Sequence, residues 1–234
     1  MDNDLLHIVI SRVGIYWKHR NLKINWEEYV KNRINLYEKL TKRSLKNETD
    51  QEFILLSLYD ANFLKNNFIK PTLDNEIILS VKRNYDGSYP WISLNNTICD
   101  FVANYKYNYN NVIVTRLDSD DLLHKNFISN VKSNLIFENQ YIDISKVFHM
   151  NYRTKEIYES NVYEQMVSPF VSIKESINNF KCIAYSIKHN KINKYFKGKK
   201  IDNLEAIQVI HENNMINKIR GKRISNFNLI NFIK

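Results

Sequence analysis

The amino-acid sequence predicts an α/β fold: an open, mostly parallel sheet flanked by helices, with a smaller antiparallel part toward the C-terminus. Short runs rich in β-branched residues alternate with segments whose apolar residues recur every three or four positions. That alternation builds parallel sheets with helices on both faces. Neither a linker nor an internal repeat interrupts the 234 residues. At the usual ~150 residues per domain this is one generous domain, large enough to bury a core without staples.

Leu5 to Ile10 is nearly all apolar, as a strand buried on both faces should be. From Trp26 to Leu40, the residues Trp26, Tyr29, Val30, Ile34, Tyr37 and Leu40 trace a helical stripe. Phe53 to Tyr59 and Glu76 to Val81 read as the next two strands, and Ile92 to Tyr105 as a helix after the Asp86-Gly87 turn and Pro90. Asn111 to Leu117 is a fourth strand, and Lys125 to Phe137 an amphipathic helix. Ser145 to Met150, Lys155 to Tyr163 and Phe180 to Ile187 read as hairpin arms. Lys188 to Lys200 reads as a basic loop, and Leu204 to His211 is apolar with no clear period.

Composition narrows the function. With 34 Lys and Arg against 25 Asp and Glu the net charge is +9, a field that attracts phosphate, nucleic acid, anionic lipid or acidic glycan alike. Only 4 Gly and 3 Pro exclude collagen-like and low-complexity chains. Cys99 and Cys182 are too few for a disulfide framework and read as buried thiols. Asp2 and Asp4 stand where a signal peptide carries basic residues, and no apolar run approaches the ~20 residues of a membrane span. The expectation is a cytoplasmic protein. Lysines between 188 and 200, interleaved with Tyr195 and Phe196, read as a solvated loop; peripheral contact with a membrane is the second reading.

Chemistry concentrates in Val112-Ile-Val-Thr-Arg-Leu-Asp118-Ser-Asp120-Asp121. Ligands of open α/β sheets bind beyond the carboxyl ends of the strands, and three acids crowd one such end. Their repulsion needs a neutralising partner. Asp118 and Asp120, two residues apart, can aim at one point and suit Mg²⁺ or Mn²⁺ together with substrate phosphates. Capping of the following helix by Asp120 or Asp121 is the alternative. Neither a G-x-G-x-x-G nor a P-loop follows any strand.

Thr115-Arg-Leu-Asp-Ser-Asp-Asp121 resembles the T-R-L-D-x-D-D segment of the putative rhamnosyltransferase family, glycosyltransferases of the GT-A fold. Ile10-Ser11-Arg12, Ser168-Pro-Phe-Val-Ser-Ile173 and Gln208-Val-Ile-His211-Glu-Asn-Asn214 resemble further family segments in the same order. Ser11, Val13, Ala206 and Glu212 depart from the family pattern. The likeness runs from about residue 7 to 221 and implies a nucleotide-sugar-binding half over 1–124, an acceptor-side half over 125–221 and a basic, apolar tail over 222–234.

The resemblance implies a metal-dependent transfer of a sugar, rhamnose by the family's name, from a UDP-, dTDP- or GDP-linked donor to a glycan or polysaccharide acceptor. Asp120, with Asp118 and His211, would hold Mn²⁺ or Mg²⁺. Ser11, Arg12, Asp60, Arg83, Arg116 and Asp118 would bind the nucleotide sugar. Asp202 and Glu205 rank first as catalytic base, ahead of Asp121, Glu164 and Glu175. His189 reads as a surface residue. A non-catalytic nucleic-acid or glycan binder and a nucleotidyltransferase are the competing readings, nucleic acid being the less favoured partner.

Overall fold

A computed structural model describes residues 4–18, 25–135, 137–138, 140–211 and 218–233. In chain order it runs β1 (Leu5–Gly14), α1 (Trp26–Leu36), α2 (Lys42–Lys46), β2 (Ile54–Asp60), α3 (Ala61–Asn66), β3 (Glu76–Val81), α4 (Trp91–Ala103) and β4 (Asn111–Asp118). Then follow β5 (Leu122–Leu123), α5 (Phe127–Asn134), β6 (Gln140–Asn151), β7 (Ile157–Ser160), β8 (Ser172–Ser176), α6 (Ile183–Ser186), β9 (Lys197–Ile210) and β10 (Lys222–Ile224).

Among the described residues one ten-stranded sheet links all the strands. Its first four are parallel in the order β3-β2-β1-β4. Beyond β4 the pairing turns antiparallel through β8 and β6 to β7 and β10, while β9 runs parallel to β6. The α/β class is therefore as the sequence predicts. Strand β1 is buried on both sides: Leu6, Ile8 and Ile10 join the core under α4 and α6, and Val9 and Val13 the core under α1 and α5.

Helix α1 is set by its ends and its stripe. Asn25 caps it by accepting from the Glu28 amide at 2.9 Å, and Tyr29, Val30, Arg33 and Leu36 form the buried stripe. A π-helical turn, Tyr37–Thr41, carries the chain into α2. At the end of β1, a Cβ on Gly14 would stand 2.7 Å from Cγ1 of Val30. Only glycine lets α1 settle that closely, and the settling brings Arg33 over the strand ends.

Three expectations are corrected in the second half. Phe180 to Ile187 is not a strand: Glu175 accepts from the amides of Lys181 (3.0 Å) and Ile183 (2.8 Å), Cys182 adopts φ 51°, and the chain coils into α6. Lys188 to Lys200 is not all loop, because a 3-10 turn fills His189–Lys194 and β9 begins at Lys197. Leu204 to Ile210 belongs to the same strand. Strand β8 lacks the alternation that would announce it, since its burial comes from insertion between β4 and β6.

Candidate functional site

The parallel register places Arg12 on β1 directly beside Asp118 on β4. The Arg12 guanidinium donates to Asp118 Oδ1 at 2.8 Å and to the Tyr89 hydroxyl at 3.0 Å. Arg116 lies two residues before Asp118 and is buried. It donates to the Ala184 carbonyl at 3.2 Å, and both arginines lie over the Tyr185 ring, at 4.9 Å for Arg116 and 5.6 Å for Arg12. No carboxylate among the described residues pairs with Arg116. Burial, then repulsion from Arg12, lowers its pKa. Burial works to raise the Asp118 pKa, but Arg12 and Arg116 outweigh it and hold the carboxylate ionised.

The acid turn closes behind Asp118, where the Asp121 amide donates to its carbonyl at 3.1 Å. Asp120 points inward and meets Arg33 in a two-pronged pair, Nη1 to Oδ2 at 2.7 Å and Nη2 to Oδ1 at 3.0 Å. Arg33 Nη2 also donates to Ser119 Oγ at 2.7 Å, and His211 Nε2 stands 2.8 Å from Asp120 Oδ2. Burial opposes ionisation of Asp120, yet Arg33 and the His211 hydrogen bond keep its pKa low. Asp121 has a structural post: its Oδ1 accepts from the Val209 amide at 2.9 Å and its carbonyl from Thr41 Oγ1 at 2.8 Å. Burial, Asp120 and Asp118 push its pKa well up.

These groups line a cavity of about 540 Å³, a volume typical of small-molecule sites. Arg12, Arg33, Arg116, Asp118, Asp120, Asp121, Lys188 and His189 are its charged and titratable lining. Trp17, Tyr89 and Trp91 make an aromatic wall, Tyr89 and Trp91 having ring centroids 4.4 Å apart. Trp91 remains 42% exposed, and a large indole left open beside a polar cavity offers a stacking surface.

Not every expected residue reaches this cavity. Ser11 is buried within β1 between Ser57 and Leu117. Asp60 caps α3 through the Phe63 amide at 3.0 Å and pairs with Arg83 at 2.7 and 2.8 Å; neither Asp60 nor Arg83 lines the cavity. Asp202 and Glu205, on β9, are not in its lining, and neither are Glu164, in the turn after β7, and Glu175, on β8, where the turn into α6 occupies it. Glu212, Asn213 and Asn214 lie outside the described residues.

His189 corrects the surface reading. It lines the cavity, and its Nδ1 stands 2.8 Å from the Val167 carbonyl. A carbonyl only accepts, so Nδ1 carries the proton and Nε2 keeps its lone pair. Arg33 was missed because helical arginines usually face water. The available signal was its place on the apolar stripe with Tyr29 and Val30. The aromatic wall carried no sequence signal, because Trp17 and Trp91 come from separate loop and helix segments.

The acids do not fit a divalent cation as arranged. Asp120 is filled by Arg33 and His211, one Asp118 oxygen is taken by Arg12, and no cluster of three His, Cys, Asp or Glu suited to a metal occurs among the described residues. Lys200 turns inward to the Tyr163 and Glu164 carbonyls, which removes one lysine from the basic stretch. Among the described residues no helix is long and apolar enough to cross a membrane.

The family described as putative rhamnosyl transferase matches residues 76–223. That range includes the acid turn, the Pro169-Phe170 segment and His211, while Ile10 to Arg12 falls outside it. No curated protein matches the sequence. Among solved structures, HddC from Yersinia pseudotuberculosis complexed with GMP-PN is 13% identical, covering 87% of this chain and 90% of that one at a TM-score of 0.37. HddC without that ligand gives 12% identity over the same shares at 0.38. Mannose-1-phosphate geranyltransferase from Thermus thermophilus gives 8%, covering 88% and 74%, at 0.33.

Proposed function

The chain belongs to the putative rhamnosyl transferase family, and from that premise we propose that it transfers a sugar, rhamnose by the family's name, from a nucleoside-diphosphate donor to a glycan acceptor. The observation that carries this reading is Arg116, a buried guanidinium lining a cavity, beside a second arginine and without a carboxylate of its own among the described residues. A buried charge is costly unless paired. A diphosphate completes the pair.

The chemistry follows from where charge develops. As the glycosidic bond breaks, the anomeric carbon becomes oxocarbenium-like and negative charge gathers on the departing diphosphate. Arg12 and Arg116, held by Tyr89, Asp118 and the Ala184 carbonyl, are the groups to stabilise it, since preset charges act without reorganising at the moment of reaction. Lys188 is an exposed further cation of the lining. Trp17, Tyr89 and Trp91 give a ring-shaped ligand a stacking face. The acceptor hydroxyl needs a base within reach. His189, whose pKa is lowered first by burial and then by Arg116, stays neutral with Nε2 able to accept a proton.

The test is a melting-temperature screen of UDP, dTDP, GDP and CMP. A ligand at 100 times its dissociation constant stabilises by about 2.7 kcal/mol. One base should stand out, and the matching sugar nucleotide should then turn over with an acceptor glycan. Silence from all four nucleotides would sink the reading.

A further inference from the structure

We propose that the acid turn is neutralised from within the chain, Arg33 occupying Asp120, so that the cavity takes its nucleoside diphosphate through arginine and lysine without a divalent cation. The proposal rests on the donor reading above and goes beyond it, because the acids at 118 and 120 would otherwise suggest a metal.

Asp118 and Asp120 both line the cavity, yet each already has a counter-ion. Each is paired with its own arginine: Asp118 with Arg12 at 2.8 Å, Asp120 with Arg33 at 2.7 Å. The Arg33 pair is two-pronged, the geometry in which guanidinium and carboxylate match best. His211 takes the same Asp120 oxygen at 2.8 Å. The Asp120, His211 and Arg33 side chains are only 4%, 7% and 9% exposed. A magnesium ion demands near-octahedral oxygen ligands at about 2.1 Å. To enter here it would have to displace Arg33 and strand a buried guanidinium without a partner, an unfavourable exchange.

Arg33 is held in this pairing by a second acceptor. Its Nη2 is shared with Ser119 Oγ, whose own hydrogen goes to the Arg12 carbonyl at 3.1 Å. Helix α1, seated by Gly14 and capped by Asn25, fixes the approach. The cations left to meet a diphosphate are Arg116 and Lys188, neither paired with a carboxylate among the described residues, and Arg12, shared with Asp118. Charge neutralisation that a metal would bring is thus already present in side chains.

Two measurements on the full wild-type chain decide the matter. The first follows the electron-paramagnetic signal of free Mn²⁺ as protein is added. It should stay undiminished; saturable loss of signal that disappears in Asp120→Asn overturns the proposal. The second is calorimetric titration of UDP, dTDP and GDP in EDTA and in Mn²⁺. Affinity for the preferred nucleotide should differ by less than about threefold between the two. Binding at least tenfold tighter with Mn²⁺ overturns the cation-free site while leaving the transferase reading intact. No nucleotide binding in either buffer, with the Mn²⁺ signal undiminished, defeats the donor reading and the diphosphate half of this one, leaving only the Arg33 pairing. The wild-type arms suffice should Asp120→Asn fail to fold.

Discussion

Replacing Arg116 by Met separates what the site needs from what the fold needs. Methionine keeps the apolar stem and the packing on Tyr185 but removes the charge. Two guanidiniums whose centres both lie within 5.6 Å of one ring centroid repel by roughly 1.5 kcal/mol or more at an effective dielectric of about 20. Asp118 offsets part of this through Arg12. Against the relief stand one hydrogen bond to the Ala184 carbonyl, worth about 1 kcal/mol net, and a cation–π contact of roughly 1 kcal/mol. The ligand-free variant should therefore unfold in urea within about 1 kcal/mol of wild type, the opposing effects nearly cancelling. Nucleotide binding should behave differently, since a charge-assisted hydrogen bond is worth about 1.5–3 kcal/mol, or roughly 10- to 150-fold in dissociation constant. A variant that loses several kcal/mol of stability yet binds nucleotide unchanged would refute the assignment of Arg116 as an anion-binding cation.

Further predictions concern protons and rings. His189→Gln should lower kcat by about 10²-fold or more while leaving nucleotide affinity in place; an unchanged kcat removes it as base. Trp91→Ala should raise KM for the acceptor or weaken donor binding roughly eightfold, from about 50 Å² of lost ring burial at about 25 cal/mol per Å², and equal constants for both substrates would clear the aromatic wall of any role. Because the native state raises the Asp121 pKa, the stability that group contributes is present near pH 4 and lost as pH rises; Asp121→Asn should melt above wild type at pH 8, with the gap closing toward pH 4. Burial, and then Lys132, takes His7 down to about 3, and burial, then Arg220, takes His149 to about 4. Stability held above pH 6.5 should drain as pH falls toward those values, by up to ~1.4 kcal/mol per unit for each histidine. Asp121 acts in the opposite direction over this range, so the check is the difference between wild type and His149→Gln. A difference that does not change between pH 6.5 and 4 would contradict the assignment for His149.

Periodic patterns made the parallel half readable. Glu76 to Val81 forms a strand at the predicted ends, and β1, β2 and β4 extend by only a few residues past their predicted limits because strand pairing continues through Ser11, Arg12, Asp60 and Asp118. The second half was harder for a physical reason. Strand β9 gains its order from pairing with β6 over most of its length, a partner nearly sixty residues away in sequence, so its lysines carry no local strand pattern. The acid turn was visible because three carboxylates rarely crowd one strand end. What neutralises two of them was not, since Arg12, Arg33 and His211 reach the turn from distant elements. Asp60 shows the reverse case: a polar residue after a strand that serves the backbone of α3 and Arg83.

The spacing of those partners governs when the site can exist. Arg33 lies 87 residues before Asp120, and His211 lies 91 residues after it. The amide that anchors Asp121, on Val209, is 88 residues downstream. A chain emerging from the ribosome at about 5–20 residues per second presents the three carboxylates several seconds before the strand that steadies them has been made. Arg12 and Arg33 are already made by then, but Asp121 still lacks its Val209 anchor and Asp120 its His211 partner, at the rim of an unfinished sheet. Contacts of such range close slowly. The cavity is accordingly a late product of folding, and a chain cut short before β9 would have most of its parallel sheet and no working rim.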